Sequence, residues 1–219
     1  MNAFIKTLRQ ASLGLALLGM SVAASAQQAA NDLYHVVIDA THLAGSGWLD
    51  LQFNPGQDSA PLAFANLVHF QGAVTPGEVA QVAGSVSGHF GGRDLLFTNN
   101  TAYNDLFQAV QFGQKISFDI HFSGPFKTAD STIGSSFGLA LYGADQATAI
   151  GNGDAASGSL LSFSLTPANG TQFGASNAVV YDSALISVNA VPEPSEWAMM
   201  IAGLAVLGVV AKRRQRIAA

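Results

Sequence analysis

The chain contains no cysteine. Disulfides, thiolate nucleophiles and zinc–thiolate sites are therefore excluded, and an exported domain built from this sequence must stand on its core and sheets alone. Charge is scarce, at 11% of residues, and cations are scarcer still in the middle of the chain. Between Gln27 and Ala190 the only cations are Arg93, Lys115 and Lys127, set against twelve acids from Asp32 to Asp182, a net of −9. The chain-wide −5 hides this because the other six basic residues lie in the two end segments. An acidic body argues against nucleic acid and anionic lipid surfaces as partners, and it permits cation binding. The five histidines have no H-x-x-x-H spacing, so a histidine zinc site has no support. No D-x-D-x-D-G loop and no internal repeat is present.

Apolar runs long enough to span a bilayer comfortably are also missing, but each end carries a short one. At the start, Lys6 and Arg9 form a positive region, Ala11 to Ala24 an apolar stretch, and Ala24-Ser25-Ala26 a small-residue cleavage site. Residues 1–26 read as a secretory signal peptide, with signal peptidase leaving Gln27 at the new N-terminus after passage through the Sec translocon. At the other end, residues 191–216 read VPEPSEWAMMIAGLAVLGVVAKRRQR. Pro192 and Pro194 stop the preceding element and let a helix begin near Ser195. Glu193 and Glu196 put negative charge at its start, which the helix dipole favours. Trp197 stands where an interfacial aromatic belongs, and Lys212, Arg213, Arg214 and Arg216 form a positive-inside anchor. Trp197 to Ala211 is 15 residues, roughly 22 Å of helix against about 30 Å of hydrocarbon. The predicted transmembrane helix is thus short, and Lys and Arg stems must snorkel to make up the thickness.

This tail resembles the PEP-CTERM sorting signal of Gram-negative bacteria. The resemblance rests on Val191-Pro192-Glu193-Pro194, on Trp197, on the Gly203-Leu204 and Leu207-Gly208 pairs and on the terminal basic cluster. It implies recognition by an exosortase, transient anchoring in the inner membrane, and release to the cell surface or extracellular matrix alongside exopolysaccharide and biofilm. An ordinary C-terminal anchor is the plainer alternative. On either reading the body faces away from the cytoplasm.

The 164 residues from Gln27 to Ala190 suit one domain with a core of its own. Their pattern has period two. Tyr34-Val36-Ile38, Leu49-Leu51-Phe53, Ile116-Phe118-Ile120-Phe122, Phe137-Leu139-Leu141 and Leu161-Phe163-Leu165 each alternate with polar or small residues. Such alternation puts one face on a core and one in water. Further candidate strands are Phe64–Phe70, Val79–Val86, Leu95–Thr98 and Ala184–Val188. Turn signals separate them, including Gly45-Ser46-Gly47, Asn54-Pro55-Gly56, Gly124-Pro125, Asn152-Gly153 and Asn169-Gly170. Only Thr101–Phe112 has helical spacing, with Tyr103, Leu106, Phe107 and Val110 on one face and Asn100 or Thr101 as a cap. The expected architecture is all-β: an antiparallel, jelly-roll-like β-sandwich of eight to ten strands over residues 27–190, between the signal peptide and a single short transmembrane helix. The stretches Tyr34–Gly56, Thr98–Pro125 and Gly134–Asp145 also resemble a recurring exported family that carries the same tail. That likeness implies a shared domain and supplies no functional residues.

Several stretches mimic chemical motifs. Gly134-Ser-Ser136-Phe-Gly138 matches a nucleophile elbow, which needs a strand, a strained turn and then a helix; here Ser136 opens a strand. Gly151-Asn-Gly153-Asp-Ala-Ala156 matches a loose dinucleotide fingerprint without the βαβ unit it requires. The surrounding stretch, Ala144–Ser159, reads as a mobile loop. Asp119 and His121 share the outward face of one strand, where an acid–base or metal pair is conceivable and a solvated face is the plainer reading. Ca²⁺ has candidate ligands in Asp145, Asp154 and Asp182. Asn99-Asn100-Thr101 and Asn169-Gly170-Thr171 fit the N-glycosylation sequon and read here as turns.

No catalytic constellation emerges, although a carboxylate pair assembled from distant strands would not be visible in sequence. Two functions of different class remain. One is an exported surface or matrix protein without enzymatic activity. The other is a carbohydrate-binding module in which exposed aromatics stack on sugar rings. Trp48 and Tyr142 are its leading residues, followed by Tyr103 and Tyr181.

Overall fold

The computed structural model describes residues 32–72, 80–191 and 200–208. The signal peptide, Pro192, Glu193, Pro194, Trp197, Lys212, Arg213, Arg214 and Arg216 lie outside the described residues. Asp32–Val191 is one compact unit.

That unit is an all-β sandwich of two six-stranded sheets, whose strands pair antiparallel. The strands in chain order are β1 (Leu33–Asp39), β2 (Ser46–Pro55), β3 (Phe64–Gln71), β4 (Gln81–Ala83), β5 (Val86–Gly88), β6 (Leu95–Thr98), β7 (Asp105–Gln111), β8 (Lys115–Ser123), β9 (Ser135–Tyr142), β10 (Leu161–Thr166), β11 (Ala175–Val180) and β12 (Ile186–Ala190). The first sheet runs β12-β1-β8-β3-β6-β5 and the second β11-β10-β9-β2-β7-β4. Early strands alternate between sheets, and β9, β10 and β11 form a meander in the second.

The alternating residues face one another across the gap. Tyr34, Val36 and Ile38 of β1 and Ile116, Phe118, Ile120 and Phe122 of β8 are buried from one side, and Leu49, Leu51, Phe53, Phe137, Leu139, Leu141 and Phe163 from the other. Phenylalanine dominates: Phe53, Phe97, Phe118, Phe122, Phe126, Phe137 and Phe163 are each under 2% exposed. Phe122 lies 5.0 Å from Phe163 and 6.1 Å from Phe137 in tilted and edge-on contacts, geometries that add to area burial. This is how a chain without disulfides holds together.

Thr101–Phe112 is not a helix. Asp105–Gln111 is β7, seated between β2 and β4 and in register with Ser46–Gln52. The helical spacing arose because both faces of β7 are covered. Leu106 and Val110 point into the core with Gln108 between them, while Phe107 lies on the outer face beside Trp48. The residues before β7 close a turn instead. The Asn104 side chain donates to the carbonyls of Phe53 (2.8 Å) and Thr101 (2.9 Å) and accepts from the Ser85 amide (2.8 Å). Long-range pairing overrides the local pattern.

The expected strand Val79–Val86 is two pieces in different sheets, split at Gly84. Gly84 has φ +70, and a Cβ there would lie 2.0 Å from the Tyr103 carbonyl oxygen, so only glycine fits. β11 had no apolar alternation to announce it. The Ala144–Ser159 stretch is held by its own side chains: Asp145 accepts from the amides of Ala147 and Thr148, and Asp154 from those of Ala156 and Ser157.

The ends of the sandwich meet. β12 pairs with β1, and the Val191 amide donates to the Leu33 carbonyl at 2.8 Å. Folded structure therefore continues to the residue before Pro192. Outside this unit, residues 200–208 form a helix. Its larger apolar side chains, Met200, Ile201, Leu204, Val206 and Leu207, are all exposed, and Gly203 has no atom near the place of a Cβ. Among the described residues, no helix is long and apolar enough to cross a membrane.

Candidate functional site

The outer face of the second sheet gathers the most chemistry. Register places Trp48 opposite Ala109 and Tyr142, Asp50 opposite Phe107 and Ala140, and Gln52 opposite Asp105 and Gly138. Side chains that share a face of adjacent strands touch. Trp48 stacks on Phe107 with ring centroids 4.8 Å apart and planes 11° apart, and Tyr142 meets Phe107 edge-on at 5.7 Å. Trp48, offered as a stacking residue, instead covers the outer face of the sheet: it is 8% exposed, packed against Phe107 beside Tyr142. Tyr142 is half-buried and Tyr103 is 48% exposed, so these two rings form the accessible part of the patch. Tyr181, also exposed, follows β11 at the far edge of the sheet.

Beside the aromatics stands a carboxyl pair that sequence reading missed. Asp50 on β2 and Asp105 on β7 are within hydrogen-bonding reach of each other. Asp50 is 8% exposed. Gln52 donates its side-chain N–H to Asp50 Oδ2 at 3.0 Å, while Asp50 Oδ1 and Asp105 Oδ1 are buried without a protein partner. Burial, with Asp105 adjacent, pushes the Asp50 carboxyl up to about 8. The pair thus holds a proton at neutral pH, as close carboxylates in a dry site must. The phenols of Tyr103 and Tyr142 are raised as well, first by burial and then by the charges of Asp105 and Asp50. Nothing in the sequence flagged the pair, because Asp105 lay in the apparent helix and Asp50 in an ordinary alternation.

The outer face of the first sheet carries Asp119. His121, which shares that face, is not hydrogen-bonded to it. Two histidines from neighbouring strands do: His35 Nδ1 lies 2.6 Å from Asp119 Oδ1, and His69 Nδ1 lies 2.8 Å from Oδ2. His69 has φ 56 at an irregularity of β3, an uncommon conformation for a non-glycine residue. Burial works to raise the Asp119 carboxyl, and the bonds from His69 and His35 outweigh it, so the net shift is downward. His121 instead lines a shallow groove of about 460 Å³ with Phe64, Asn66, Ser87, Asp94 and Leu96.

The remaining motif residues have structural employment. Ser136 lies within β9 opposite Asn54 and Ser164, with neither a turn nor a helix after it. Asn99 is 4% exposed and its amide donates to the Pro61 carbonyl and to Ser135, so this sequon is no glycan acceptor in the folded chain. Asp182 accepts from the amides of Asn152, Ala184 and Leu185. Asp145, Asp154 and Asp182, the expected calcium ligands, thus each organise their own turn, and among the described residues no group of three or more acidic or histidine side chains is placed to hold a metal. Neither a family model, nor a curated protein, nor a solved structure matches this chain.

Proposed function

We propose that this is an exported, jelly-roll-like β-sandwich protein of the cell surface or extracellular matrix, sorted by its C-terminal tail and associated with exopolysaccharide or biofilm. The observation that carries the reading is the order of the tail: Val191-Pro192-Glu193-Pro194, Trp197, a short uncharged apolar run, and then Lys212, Arg213, Arg214 and Arg216. On this reading the Sec translocon and signal peptidase act on residues 1–26. The tail then holds the chain in the inner membrane as a short transmembrane helix until an exosortase processes it. The described helix 200–208 reads MIAGLAVLG and carries no charge, which suits a bilayer. The cysteine-free phenylalanine core suits a body that functions outside the cell. No catalytic activity is assigned to it. Fractionation tests the proposal: the protein should co-purify with exopolysaccharide from cells that contain exosortase. Retention in the inner-membrane fraction of those cells would reduce the tail to an ordinary anchor.

A second reading, a carbohydrate-binding module, draws on the Tyr103–Tyr142 patch, where accessible rings stand beside Asp105 and Gln52 as hydrogen-bonding groups for sugar hydroxyls. Loss of polysaccharide retention in Tyr103→Ala and Tyr142→Ala would favour it, and unchanged retention in both would remove it.

A further inference from the structure

One lane across the outer face of the first sheet keeps its polar groups unspent. Register sets His121 of β8 opposite Asn66 of β3, Asn66 opposite Leu96 of β6, and Leu96 opposite Ser87 of β5. Side chains paired in this way share one face of neighbouring strands. The lane covers three strand spacings, or about 14 Å. It forms the floor of the groove of about 460 Å³, a volume within the range of ligand sites. Phe64, two residues before Asn66 on the same face of β3, and Asp94, just before β6, complete the lining. Among the described residues, no side-chain hydrogen bond or ion pair engages Asn66, Ser87, Asp94 or His121. At the β5 rim Gly88 has φ +87, and a Cβ there would lie 2.1 Å from the Asp94 carbonyl oxygen. Only glycine fits, so no side chain overhangs this end of the groove.

We propose that this groove binds an uncharged saccharide chain laid across β8, β3, β6 and β5. The lining offers both senses of hydrogen bond. The Asp94 carboxylate accepts, while the Asn66 amide and the Ser87 hydroxyl both donate and accept. A sugar hydroxyl also does both and can pair with each, whereas an apolar occupant would leave them without partners. Phe64 and Leu96 supply apolar surface between the polar groups, and an aromatic face suits the C–H face of a pyranose ring. Charge narrows the occupant further. No lysine or arginine lines the groove, and the body carries a net of −9, so phosphate-bearing and uronate polymers are repelled. The groove does not draw on the sorting tail, and it lies on the other sheet from Tyr142. Saccharide binding here therefore fails or holds apart from the proposed export and from the Tyr103–Tyr142 patch.

Isothermal titration of the full chain tests this, in a detergent whose head group is not a sugar. The probes are cello-, laminari- and chito-oligosaccharides, with oligogalacturonate as the anionic comparator. The expected result is saturable binding of at least one neutral series and no binding of oligogalacturonate. Asp94→Ala and Asn66→Ala should each weaken that binding on the order of tenfold, as loss of one such hydrogen bond does. Phe64→Leu keeps apolar bulk but removes the ring face, and should weaken it as well. Tyr142→Ala should leave it unchanged. Circular dichroism confirms that each variant is folded. If the half-buried Asn66 does not tolerate its change, the exposed Asp94 and Ser87 carry the comparison through Asp94→Ala and Ser87→Ala. Absence of binding by all three neutral series, or binding that survives in the groove variants, would overturn the proposal. So would a preference for oligogalacturonate.

Discussion

Replacing Asp50 with asparagine removes a titration that the sandwich otherwise must accommodate. The Asp50 carboxyl has its pKa raised from 3.8 to about 8, by burial first and then by Asp105. An acid whose folded pKa is raised takes up a proton on folding. Its stabilising contribution is therefore complete below the unfolded pKa near 4 and is lost as pH climbs to about 8. At ~1.4 kcal/mol per unit, the full shift corresponds to roughly 6 kcal/mol as an upper bound. Solvent reaches the rim of the pair beside Tyr103, and screening there reduces this to an effect on the order of 3 kcal/mol.

The groups that face Asp50 are Asp105, Gln52, Tyr103 and Tyr142, and the tyrosines stay neutral through this range because their pKa values are raised. The acids whose pKa values are lowered, Asp39 and Asp145 to about 2 and Asp119, Asp154 and Asp182 in the same direction, act with the opposite sign and below pH 4. Urea unfolding at pH 5 and at pH 8.5 should thus show the wild type losing about 2 kcal/mol more than Asp50→Asn across the interval, because pH 5 already lies above the unfolded pKa. Parallel pH profiles for the two proteins would refute the reasoning, because they would mean that Asp50 is ionised and solvated throughout.

Two further outcomes follow from the geometry. Trp48→Ala should destabilise the sandwich by about 3–5 kcal/mol in urea unfolding, because the ring is packed on Phe107 and almost wholly covered; a loss below about 1 kcal/mol would return Trp48 to the role of an exposed platform. A short Gly-Ser insertion between Val191 and Pro192 should speed processing of the tail in a pulse-chase. The Val191 amide is bonded to Leu33, so paired structure runs to the residue before Pro192; an unchanged rate would show that this edge is no obstacle.

The sheets were legible where one face alone is buried. β8 and β10 alternate cleanly because their outward residues are polar, β1 and β9 depart from this only at Leu33, Val37 and Tyr142, and the structure places the apolar sets of all four in the core. β7 was misread because its outer face is covered as well, so Leu106 and Phe107 are both apolar, and because Gln108 faces inward. The same covering hid the true state of Trp48: period two says which face a residue takes and nothing of what lies over that face. The pairs Asp50–Asp105 and Asp119 with His35 and His69 come from strands far apart in sequence and meet only through register. The alternation around Asp119 did put it outward, and it was the cross-strand histidines that no local pattern announces.

The central claim concerns the fate of the chain outside the cytoplasm, and intact mass spectrometry tests it most directly. The protein is recovered from cell envelope and medium of strains with and without exosortase. The account predicts a released species running from Gln27 to the neighbourhood of Val191, present only where the enzyme is present. A species that keeps its tail through Arg216 and stays membrane-held in both strains would contradict it.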